Sequence, residues 1–376
     1  MAPSAVRVDP VDGRKDREAF RLLPHRLYAE DPFWVAPPNK DIARFLHPKR
    51  KHAFYGSGDI QWMLARRDGR VVGRIAAIEN RTHNAHHSDR TGFFGFFEAE
   101  NDPEVAGTLL EAAGAWATDR GLNALRGPTS PSLNYESGCL VDGEPGPPFL
   151  MMPHNAPWYA ALIEAHGFTK VMDLYAFLAH EDRHDIPRWK RISDKILRRN
   201  NLSLRPFDKR RFNEDVNLII ELFNDAWSRN WGFVPLTKLE TAALAKDLRP
   251  IFRPSLCSFL VRDGDAIGFW MGLPDYNRVL LKLRGRLFPF GFLKLLRAKR
   301  RIDTMRVMLM GVRKEHQHLG LDACLYGDII RANESGIRSA ECSWILETNT
   351  PMINTLERAG ARRWRTYRIY EKPLTP

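Results

Sequence analysis

Apolar and polar positions follow one another along the chain in an order that occurs twice. Two apolar, strand-like runs joined by Asp-Gly come first, and this dipeptide suits the tight turn of a β-hairpin. Another apolar strand, an amphipathic helix, a short strand and a final helix then follow. These elements cover residues 60–80, 91–100, 103–121, 123–128 and 156–168 in the first half, and 255–274, 304–312, 318–336, 339–345 and 348–360 in the second.

This repetition indicates how the chain is divided. An amphipathic helical pattern precedes the hairpin in both halves, at residues 14–31 and 210–230. One repeated hairpin is weak evidence, but a whole ordered set indicates that one α/β unit has been duplicated. The polar stretch 180–191 is the expected boundary. The sequence therefore predicts an N-terminal domain of residues 1–185 and a C-terminal domain of residues 186–376.

The connection between the strand at 304–312 and the next helix is a basic turn that contains Gly320. The first amides of a helix have no internal partners, and the helix dipole adds about half a positive charge there. Glycine lets the backbone approach a pyrophosphate closely. Asp322 would repel a phosphate, although an acidic residue in a first turn also compensates the dipole. The side chains that would bring positive charge to this turn are Arg313, Lys314, His316 and His318.

The equivalent connection in the first half, residues 99–107, is acidic and has no basic residue. The contrast between the two copies predicts that only the second half binds a phosphorylated ligand.

Composition sets the class of protein. A chain of 376 residues, 44% apolar and 27% charged, is typical of a soluble globular protein with two domains. No run of about 20 apolar residues predicts a membrane-spanning helix, and the N-terminus lacks the layout of a secretory signal. Four cysteines form neither a disulfide framework nor a paired zinc motif, and Cys324 and Cys342 lie in apolar runs that suit buried thiols. The cytoplasm is the expected compartment.

The net charge of +12 favours an anionic partner, and residues 277–303 indicate which kind. In this insert, which the first half lacks, Lys and Arg alternate with Leu and Phe. Such a segment suits an anionic membrane surface. A surface helix with one packed face is the alternative, and a nucleic-acid arm is disfavoured because stacking Tyr and Trp are missing. Pro289 and Gly291 would divide the insert into two pieces.

The second half resembles the GNAT acyltransferase fold. The phosphate-binding signature of that family places a basic or amide residue, a glycine and a small residue where this chain has Gln317, Gly320 and Asp322. The strand before the turn and the closing helix, residues 349–360, also match. The first half has the same order without the signature, and so resembles a copy with a degenerate cofactor site. The resemblance implies two tandem GNAT-like domains, each an α/β unit with a mixed, mostly antiparallel sheet flanked by helices.

Two further segments, residues 133–148 and 223–237, together with the insert, resemble the tandem-GNAT family that includes bacterial ceramide synthases. That resemblance implies an acyl-thioester site in the second half. A backbone amide of the strand around Met310 to Val312 would polarise the thioester carbonyl. The cofactor-binding residues that it implies are Met310, Val312, Arg313, Gln317, His318, Leu319, Gly320, Leu321 and Asn349.

The catalytic residues are less defined, because the tyrosine acid that many GNAT enzymes carry on the last helix is replaced here by Leu356, and by Ile163 in the first half. Alternatives with a suitable side chain are Glu347, Asn349, Glu136 and Tyr367, followed by Glu240 and Tyr370. Each has a structural alternative: capping or the surface for the carboxylates, strand packing for the tyrosines. Trp231 and Tyr135 would line either an acyl channel or the core. We expect His83, His86 and His87 to lie in a solvated loop and to bind no metal.

The resulting hypothesis is a cytoplasmic, acyl-CoA-dependent N-acyltransferase, peripheral at the inner membrane surface. It would move a long-chain fatty acyl group from acyl-CoA or an acyl carrier protein (acyl-ACP) to the amine of a lipid-like acceptor, with a sphingoid base as the best candidate. The second half would be catalytic and the first half would shape the acceptor site, without metal or nucleic acid. The alternatives are an acyltransferase for an amino acid or other soluble amine, and a non-catalytic GNAT-fold protein that binds lipid or nucleic acid. Donor, chain length and oligomeric state stay open.

Overall fold

The computed structural model of the chain describes residues 4–37, 39–47, 49, 52–183, 185–283, 293, 297, 298, 301–317 and 319–375. The chain forms two compact units. The N-terminal unit contains residues 1–174, 277–292 and 365–376, and the C-terminal unit contains residues 175–276 and 293–364. The N-terminal unit thus ends its first segment at Leu174 instead of residue 185, and it also includes part of the insert and the C-terminus.

The N-terminal unit is built from a hairpin, a parallel strand pair and packed helices. Its strands pair in the order β1-β2-β3-β4-β5-β15, and β8 also pairs with β15. The elements of this unit up to residue 174 are β1 Arg7–Pro10, α1 Gly13–Leu27, α2 Asn39–Phe45, β2 Gly58–Arg67, β3 Arg70–Asn80, α3 Arg81–His87, β4 Thr91–Ala99, α4 Pro103–Thr118, β5 Ala124–Gly127, β6 Thr129–Ser130, β7 Glu136–Ser137, β8 Cys139–Gly143, α5 Tyr159–Ala165 and the start of β9 Thr169–His180. The last strand, β15 Arg362–Pro373, also has residues in both units.

The C-terminal unit repeats this plan. Its strands pair in the order β14-β13-β12-β11-β10, with β13 and β14 parallel and the others antiparallel. The elements from residue 186 are α6 Ile186–Arg199, β10 Leu202–Pro206, α7 Phe212–Trp227, α8 Lys238–Leu248, β11 Cys257–Arg262, β12 Asp265–Pro274, α9 Asn277–Leu283 (which belongs to the N-terminal unit), β13 Thr304–Val312, α10 Asp322–Arg331, β14 Ser339–Leu346 and α11 Thr350–Arg358.

Local sequence explains the repeated hairpins. Asp68-Gly69 and Asp263-Gly264 join β2 to β3 and β11 to β12, and all four residues have positive φ. A two-residue turn with positive φ at both positions matches the twist of the flanking strands. Each unit also has its own hydrophobic core, between the sheet and α4 with α5 in the N-terminal unit, and between the sheet and α10 with α11 in the C-terminal unit. The predicted fold class, a mixed and mostly antiparallel sheet flanked by helices in each half, is confirmed.

Two local features differ from the sequence predictions. The polar stretch predicted as the domain boundary contains the start of α6, which begins at Ile186 and packs on α10 through Ser193 and Cys324. The predicted histidine loop is the short helix α3, in which His83 is buried.

Part of the basic insert is described. Residues 277–283 form α9, whose buried side is Asn277, Leu280 and Leu283. The Asn277 amide donates to the carbonyls of Pro148 and Phe149, at 2.9 and 3.0 Å. Residues 284–292, 294–296, 299 and 300 lie outside the described residues. Within the described part of the chain, no helix is both long and apolar enough to cross a membrane.

Candidate active site

The turn between β13 and α10 combines an anchored leucine with an open glycine. Leu321 is 1% exposed and packs in the core, whereas Leu319 on the other side of Gly320 is 56% exposed. Gly320 has φ +68°, and a Cβ placed there would meet no atom within 4 Å. A residue with a side chain would be strained in this conformation. The glycine therefore leaves the start of α10 accessible.

The start of α10 has no side-chain cap from the preceding residue, because that residue is Leu321. The carboxylate of Asp322 instead interacts with its own amide and that of Ala323, and the Ala323 amide donates a hydrogen bond to the Gly320 carbonyl at 3.3 Å. Burial raises the pKa of Asp322, and the interactions of its carboxylate with these two amides offset the effect only in part. Burial thus disfavours the charged form of this carboxyl, although the helix N-terminus beside it attracts anions. A pyrophosphate group fits this turn if its oxygens replace the Asp322 carboxylate as the partner of the first amides of α10.

The equivalent helix start in the N-terminal unit is already closed. The Asp102 side chain accepts hydrogen bonds from the amides of Glu104 and Val105 and thereby caps α4. The guanidinium of Arg67 pairs with Asp102 and Glu104, each at 2.5 Å, and lowers the pKa of Asp102. A phosphate would meet two carboxylates here. The two copies therefore differ in the capping of this helix start, and the loss of phosphate binding in the first copy stays a prediction.

The basic turn is fixed to the rest of the C-terminal unit by its own polar groups. Gln317 Nε2 donates to the carbonyls of Ala226 and Val312, at 3.2 and 3.0 Å. Arg313 pairs with Glu221 at 2.5 Å and also donates to the carbonyl of Ala266. Both side chains therefore shape the turn, and their contact with a cofactor stays a prediction. His318 lies outside the described residues.

Strands β13 and β14 form a fork beside this turn. They pair in parallel from Thr304 with Ser339 to Val307 with Cys342. No further pair joins them among the described residues, and a bulge at Met308 interrupts the pairing of β13 with β12. Both strands are buried up to this point. Beyond it they are only half-buried, at Met308–Gly311 of β13 and Trp344–Leu346 of β14. The two strands therefore part beyond Val307 and Cys342, and their side chains are more accessible there.

The predicted carbonyl-polarising segment lies on one arm of this fork. Met310 and Val312 are paired with Trp270 and Gly268 on β12. The carbonyl of Met310 accepts a hydrogen bond from Trp227 Nε1 at 3.0 Å, which ties the arm to α7. The carbonyl oxygens of both residues thus have protein partners. The predicted role of their amides toward a thioester is compatible with these contacts and stays a prediction.

A buried network of hydrogen-bonded side chains lies at the base of the fork, and the sequence did not predict it. Ser343 Oγ donates to the Glu341 carboxylate at 2.7 Å and accepts from Arg306 Nε at 2.9 Å. The second oxygen of Glu341 accepts from Trp364 Nε1 at 2.9 Å. Arg306, Glu341 and Ser343 are at most 3% exposed. The sequence did contain a signal, since a lone arginine and two alternating polar residues interrupt otherwise apolar strands.

The predicted catalytic residues are divided between the units. Glu347 lies half-buried in the turn after β14, and Asn349 caps α11 by accepting a hydrogen bond from the Met352 amide at 3.3 Å. These two therefore lie at the end of one arm of the fork. Glu136 and Tyr367 belong to the N-terminal unit. Glu136 is exposed on β7, whereas Tyr367 is fully buried on β15 opposite Leu140.

Two lower-ranked candidates have evident structural roles. Glu240 is 2% exposed and forms a capping box with Thr237 at the start of α8. The Tyr370 hydroxyl donates to Glu164 at 2.8 Å, and its ring is part of the N-terminal core. Leu356, at the position of the usual tyrosine acid, is buried in the other core. The four cysteines are buried free thiols, and the described residues contain no group of side chains suited to a metal.

Comparison with known proteins identifies the family. No protein-family model matches the chain. It is 38% identical to "Protein YghO" of Escherichia coli (strain K12), over 96% of this chain and 94% of that protein. It is 37% identical to "Bacterial ceramide synthase" of Caulobacter vibrioides (strain NA1000 / CB15N), over 98% of both chains.

Solved structures agree on the fold. A tandem GNAT protein from the clavulanic acid biosynthesis pathway superposes over 99% of both chains with a TM-score of 0.57 and 15% identity. A GCN5-related N-acetyltransferase from Sphaerobacter thermophilus superposes over 100% of this chain and 98% of its own, with a TM-score of 0.56 and 14% identity. The fold, the fork and the extended identity together show that the chain belongs to the tandem-GNAT N-acyltransferase family that includes the bacterial ceramide synthase.

Proposed function

We propose that this N-acyltransferase moves a long-chain fatty acyl group from acyl-CoA or acyl-ACP to the amine of a lipid-like acceptor, with a sphingoid base as the preferred acceptor. The observation that carries the proposal is the fork between β13 and β14, continued by the turn at Gly320. An extended thioester arm would lie along the fork with its phosphates at the start of α10. The acceptor is suggested by the relative named as a ceramide synthase.

The reaction requires one bond to form and one to break. The amine nitrogen attacks the thioester carbonyl, the C–N bond forms, and the C–S bond then breaks to release a thiolate. The amine loses a proton to a base and the thiolate gains one. Glu347 is the proposed base, because it lies at the end of one arm of the fork. Amides of β13 from Met310 to Val312 are the proposed donors to the developing oxyanion.

Attachment to an anionic membrane surface is part of this proposal. On α9 the exposed residues Arg278 and Lys282 are four positions apart, opposite the buried Leu280 and Leu283. The sequence of the remaining insert is also basic and apolar. Each Lys or Arg near such a surface contributes on the order of 1 kcal/mol. Arg278→Gln with Lys282→Gln should therefore weaken binding to phosphatidylglycerol vesicles by about tenfold or more at low salt.

Vesicle co-sedimentation measures this effect. Neutral phosphatidylcholine vesicles are the control, and equal binding to both kinds of vesicle would contradict the electrostatic attachment. Replacement of Lys238 and Lys246 by Gln on α8 is the matched control for the loss of two charges, and it should leave binding within a factor of two or so.

Two substitutions, one near each end of α10, test the proposed phosphate site. Gly320 and Gly336 both have positive φ, and a Cβ at either would meet no atom within 4 Å. Gly320→Asp places a carboxylate where the phosphates should bind, and Gly336→Asp introduces the same strain and charge beyond the other end. We expect Gly320→Asp to raise the KM for palmitoyl-CoA by about tenfold or more, because a like charge there costs over 1 kcal/mol.

The assay follows release of free thiol from palmitoyl-CoA with sphinganine, and mass spectrometry identifies the N-acylated product. Gly336→Asp should retain the wild-type KM. Similar KM values for both variants would contradict the phosphate site. Absence of thiol release by the wild-type protein, with sphinganine and with soluble amines alike, would refute the proposed function.

A further inference from the structure

Helix α6 covers one side of α10, the helix at whose start the phosphates of the acyl donor are proposed to bind. Ser193 Oγ of α6 lies 3.5 Å from the carbonyl oxygen of Cys324, in the first turn of α10. Gly327 allows this approach, since a Cβ there would lie 2.5 Å from Ser193 Cβ. Farther along α10, Arg331 pairs with Asp194 at 2.6 Å. A partner bound to the outer side of α6 is therefore separated from α10 by about one helix diameter, about 10–12 Å.

The outer side of α6 carries a stripe of positive charge. At about 3.6 residues per turn, five exposed basic residues fall within an arc of about 100°, opposite the buried Ser193. From its first residue to its last the stripe is about 16 Å long, at a rise of about 1.5 Å per residue. This basic stripe consists of Arg188, Arg191, Lys195, Arg198 and Arg199.

The charges of the basic stripe are not neutralised within the described part of the chain. None of the five residues pairs with a carboxylate there, and the only acidic side chain of α6, Asp194, pairs with Arg331 instead. Lys195 lies four positions from both Arg191 and Arg199, so like charges are neighbours along the helix. Such pairs destabilise a helix, most strongly at low ionic strength. A bound partner of opposite charge would relieve this repulsion.

The surroundings of the basic stripe indicate which kind of anion it fits. A bilayer surface favours basic residues whose apolar neighbours enter it, but Trp189, Ile196 and Leu197 of α6 pack against the C-terminal core. Single-stranded nucleic acid favours aromatic rings for stacking, and the stripe contains none. The phosphates of a free CoA at the start of α10 would leave a stripe of this length unused. The acidic surface of another protein fits best.

We propose that the basic stripe docks the acidic surface of an acyl carrier protein, which thereby delivers its acyl thioester to the start of α10. Four of the five residues are arginines, whose planar guanidinium groups bind carboxylates through two hydrogen bonds. A length of about 16 Å corresponds to about three turns of a partner helix. The inference rests on the proposed function and names its donor, and its evidence is a surface that the acyl site does not include.

The first test measures docking without acyl transfer. The full-length protein is titrated calorimetrically with a holo-acyl carrier protein, which has the phosphopantetheine arm but no acyl group. The stripe variant, Arg191→Gln with Lys195→Gln and Arg198→Gln, removes three charges and keeps good helix formers at exposed positions. Its Kd should be about tenfold above that of the wild type at low salt, the combined effect of three exposed ion pairs. The wild-type Kd should rise with salt, because exposed charges are screened.

The matched control removes three exposed lysines that lie outside the basic stripe. Lys190 is on α6 but outside the arc of the stripe, and Lys238 and Lys246 are on α8. The control variant, Lys190→Gln with Lys238→Gln and Lys246→Gln, loses the same net charge as the stripe variant. Its Kd for the carrier should stay within about a factor of two of the wild-type value.

The second test compares two donors of the same acyl group. With palmitoyl-ACP and sphinganine, the stripe variant should have a KM about tenfold above that of the wild type at an unchanged kcat, because only docking is weakened. With palmitoyl-CoA its KM should match the wild-type value. An equal rise of the KM for both donors would overturn the docking, since the stripe would then act on the acyl site itself.

The binding data can overturn the inference on their own. They do so if the holo-carrier does not bind the wild-type protein, if the stripe variant keeps the wild-type Kd, or if the control variant loses affinity equally. Phosphatidylglycerol vesicles and a single-stranded RNA are titrated alongside. A stripe variant that binds the carrier normally and loses affinity for one of these would assign the stripe to that partner and likewise overturn the inference.

The two proposals fail separately. Thiol release from palmitoyl-CoA with sphinganine, without stripe-dependent binding of the holo-carrier, would retain the acyl transfer and remove the docking. Stripe-dependent binding of the holo-carrier, without acyl transfer to any amine, would retain the docking and remove the acyl transfer.

Discussion

Each unit buries one pair of opposite charges in its sheet. Arg306 and Glu341 meet through Ser343 on the parallel strands β13 and β14, and Arg74 and Glu98 lie opposite each other on the antiparallel strands β3 and β4. A buried charge is costly unless it is paired and hydrogen-bonded. The hydrogen bonds of each pair therefore allow charged side chains to stay inside an otherwise apolar sheet.

His83 is a buried titratable residue whose effect on stability is separate from these two charge pairs. Burial lowers its pKa to about 4, from an ordinary value of 6.5. The unfolded chain takes up a proton near pH 6.5 and the folded protein does not, so the free energy of unfolding falls as the pH drops from 6.5 to about 4. The loss reaches roughly 3 kcal/mol at the lower end, because each pKa unit corresponds to about 1.4 kcal/mol.

His83→Gln should remove this contribution, so that urea unfolding of the variant depends less on pH between 4 and 6.5 than that of the wild type. Above pH 6.5 the difference between the two proteins should be constant, because the histidine is then neutral in both states. His86→Gln, on the same helix but exposed, is the control. Parallel pH profiles for wild type and His83→Gln would contradict the shifted pKa.

Single residues were predictable where a local pattern determines them. Gly320 was identified because a strand, a basic turn and a helix follow one another within a short stretch, and its positive φ agrees with that pattern. Glu341 and Arg306 were not identified, because they are 35 positions apart in sequence and meet only through the register of β13 and β14. A pattern of neighbours along the chain cannot show such a pair.

At the scale of elements, the turn signals were reliable and the polar segments were not. Both Asp-Gly hairpins and both strand–helix–strand units were predicted from apolar periodicity and glycine. The start of helix α6 was interpreted as a domain boundary because its exposed side is crowded with Arg and Lys. Its inner side is buried by α10, where Gly327 lets the two helices approach each other. The sequence of α6 alone does not show this contact.

This close approach predicts the effect of adding one methyl group. A Cβ at Gly327 would lie 2.5 Å from Ser193 Cβ and 2.8 Å from its Oγ. Overpacking costs about 1–3 kcal/mol, and alanine recovers about 1 kcal/mol through its helix propensity. Gly327→Ala should therefore lower the free energy of unfolding by up to about 2 kcal/mol, measured by urea denaturation.

The control is Gly114→Ala inside α4, where a Cβ would meet only Leu374 Cδ2 at 3.3 Å. That variant should be neutral or slightly stabilising. Ser193→Gly in combination with Gly327→Ala should restore part of the loss, as a double-mutant cycle would show. If Gly327→Ala is as stable as Gly114→Ala, the packing of α6 on α10 is not as close as the structure has it.

At the scale of the whole chain, the C-terminal segment belongs to the N-terminal unit. The predicted boundary at 185/186 treated the two halves as separate along the sequence, because duplication suggests two consecutive domains. The structure instead assigns residues 365–376 to the first unit. There Arg365 donates to the carbonyls of Glu144 and Gly146, and Arg368 pairs with Asp173 at 2.8 Å. Apolar periodicity does not show which unit the last strand joins, because a strand has the same pattern in either unit.

A truncation after Trp364 tests this assignment. Residues 370–373 pair with β5, and Tyr370 is fully buried in the N-terminal core, so their loss should expose the amides of β5 and loosen α5. Hydrogen exchange should therefore increase by orders of magnitude in residues 124–127 and 159–165, while β11–β13 stay protected because the C-terminal core does not include the deleted residues. Removal of residues 375 and 376 alone is the control and should change neither region. If fragments 1–185 and 186–376 each fold and show native protection, the C-terminal strand is dispensable to the N-terminal unit and the two halves are independent domains after all.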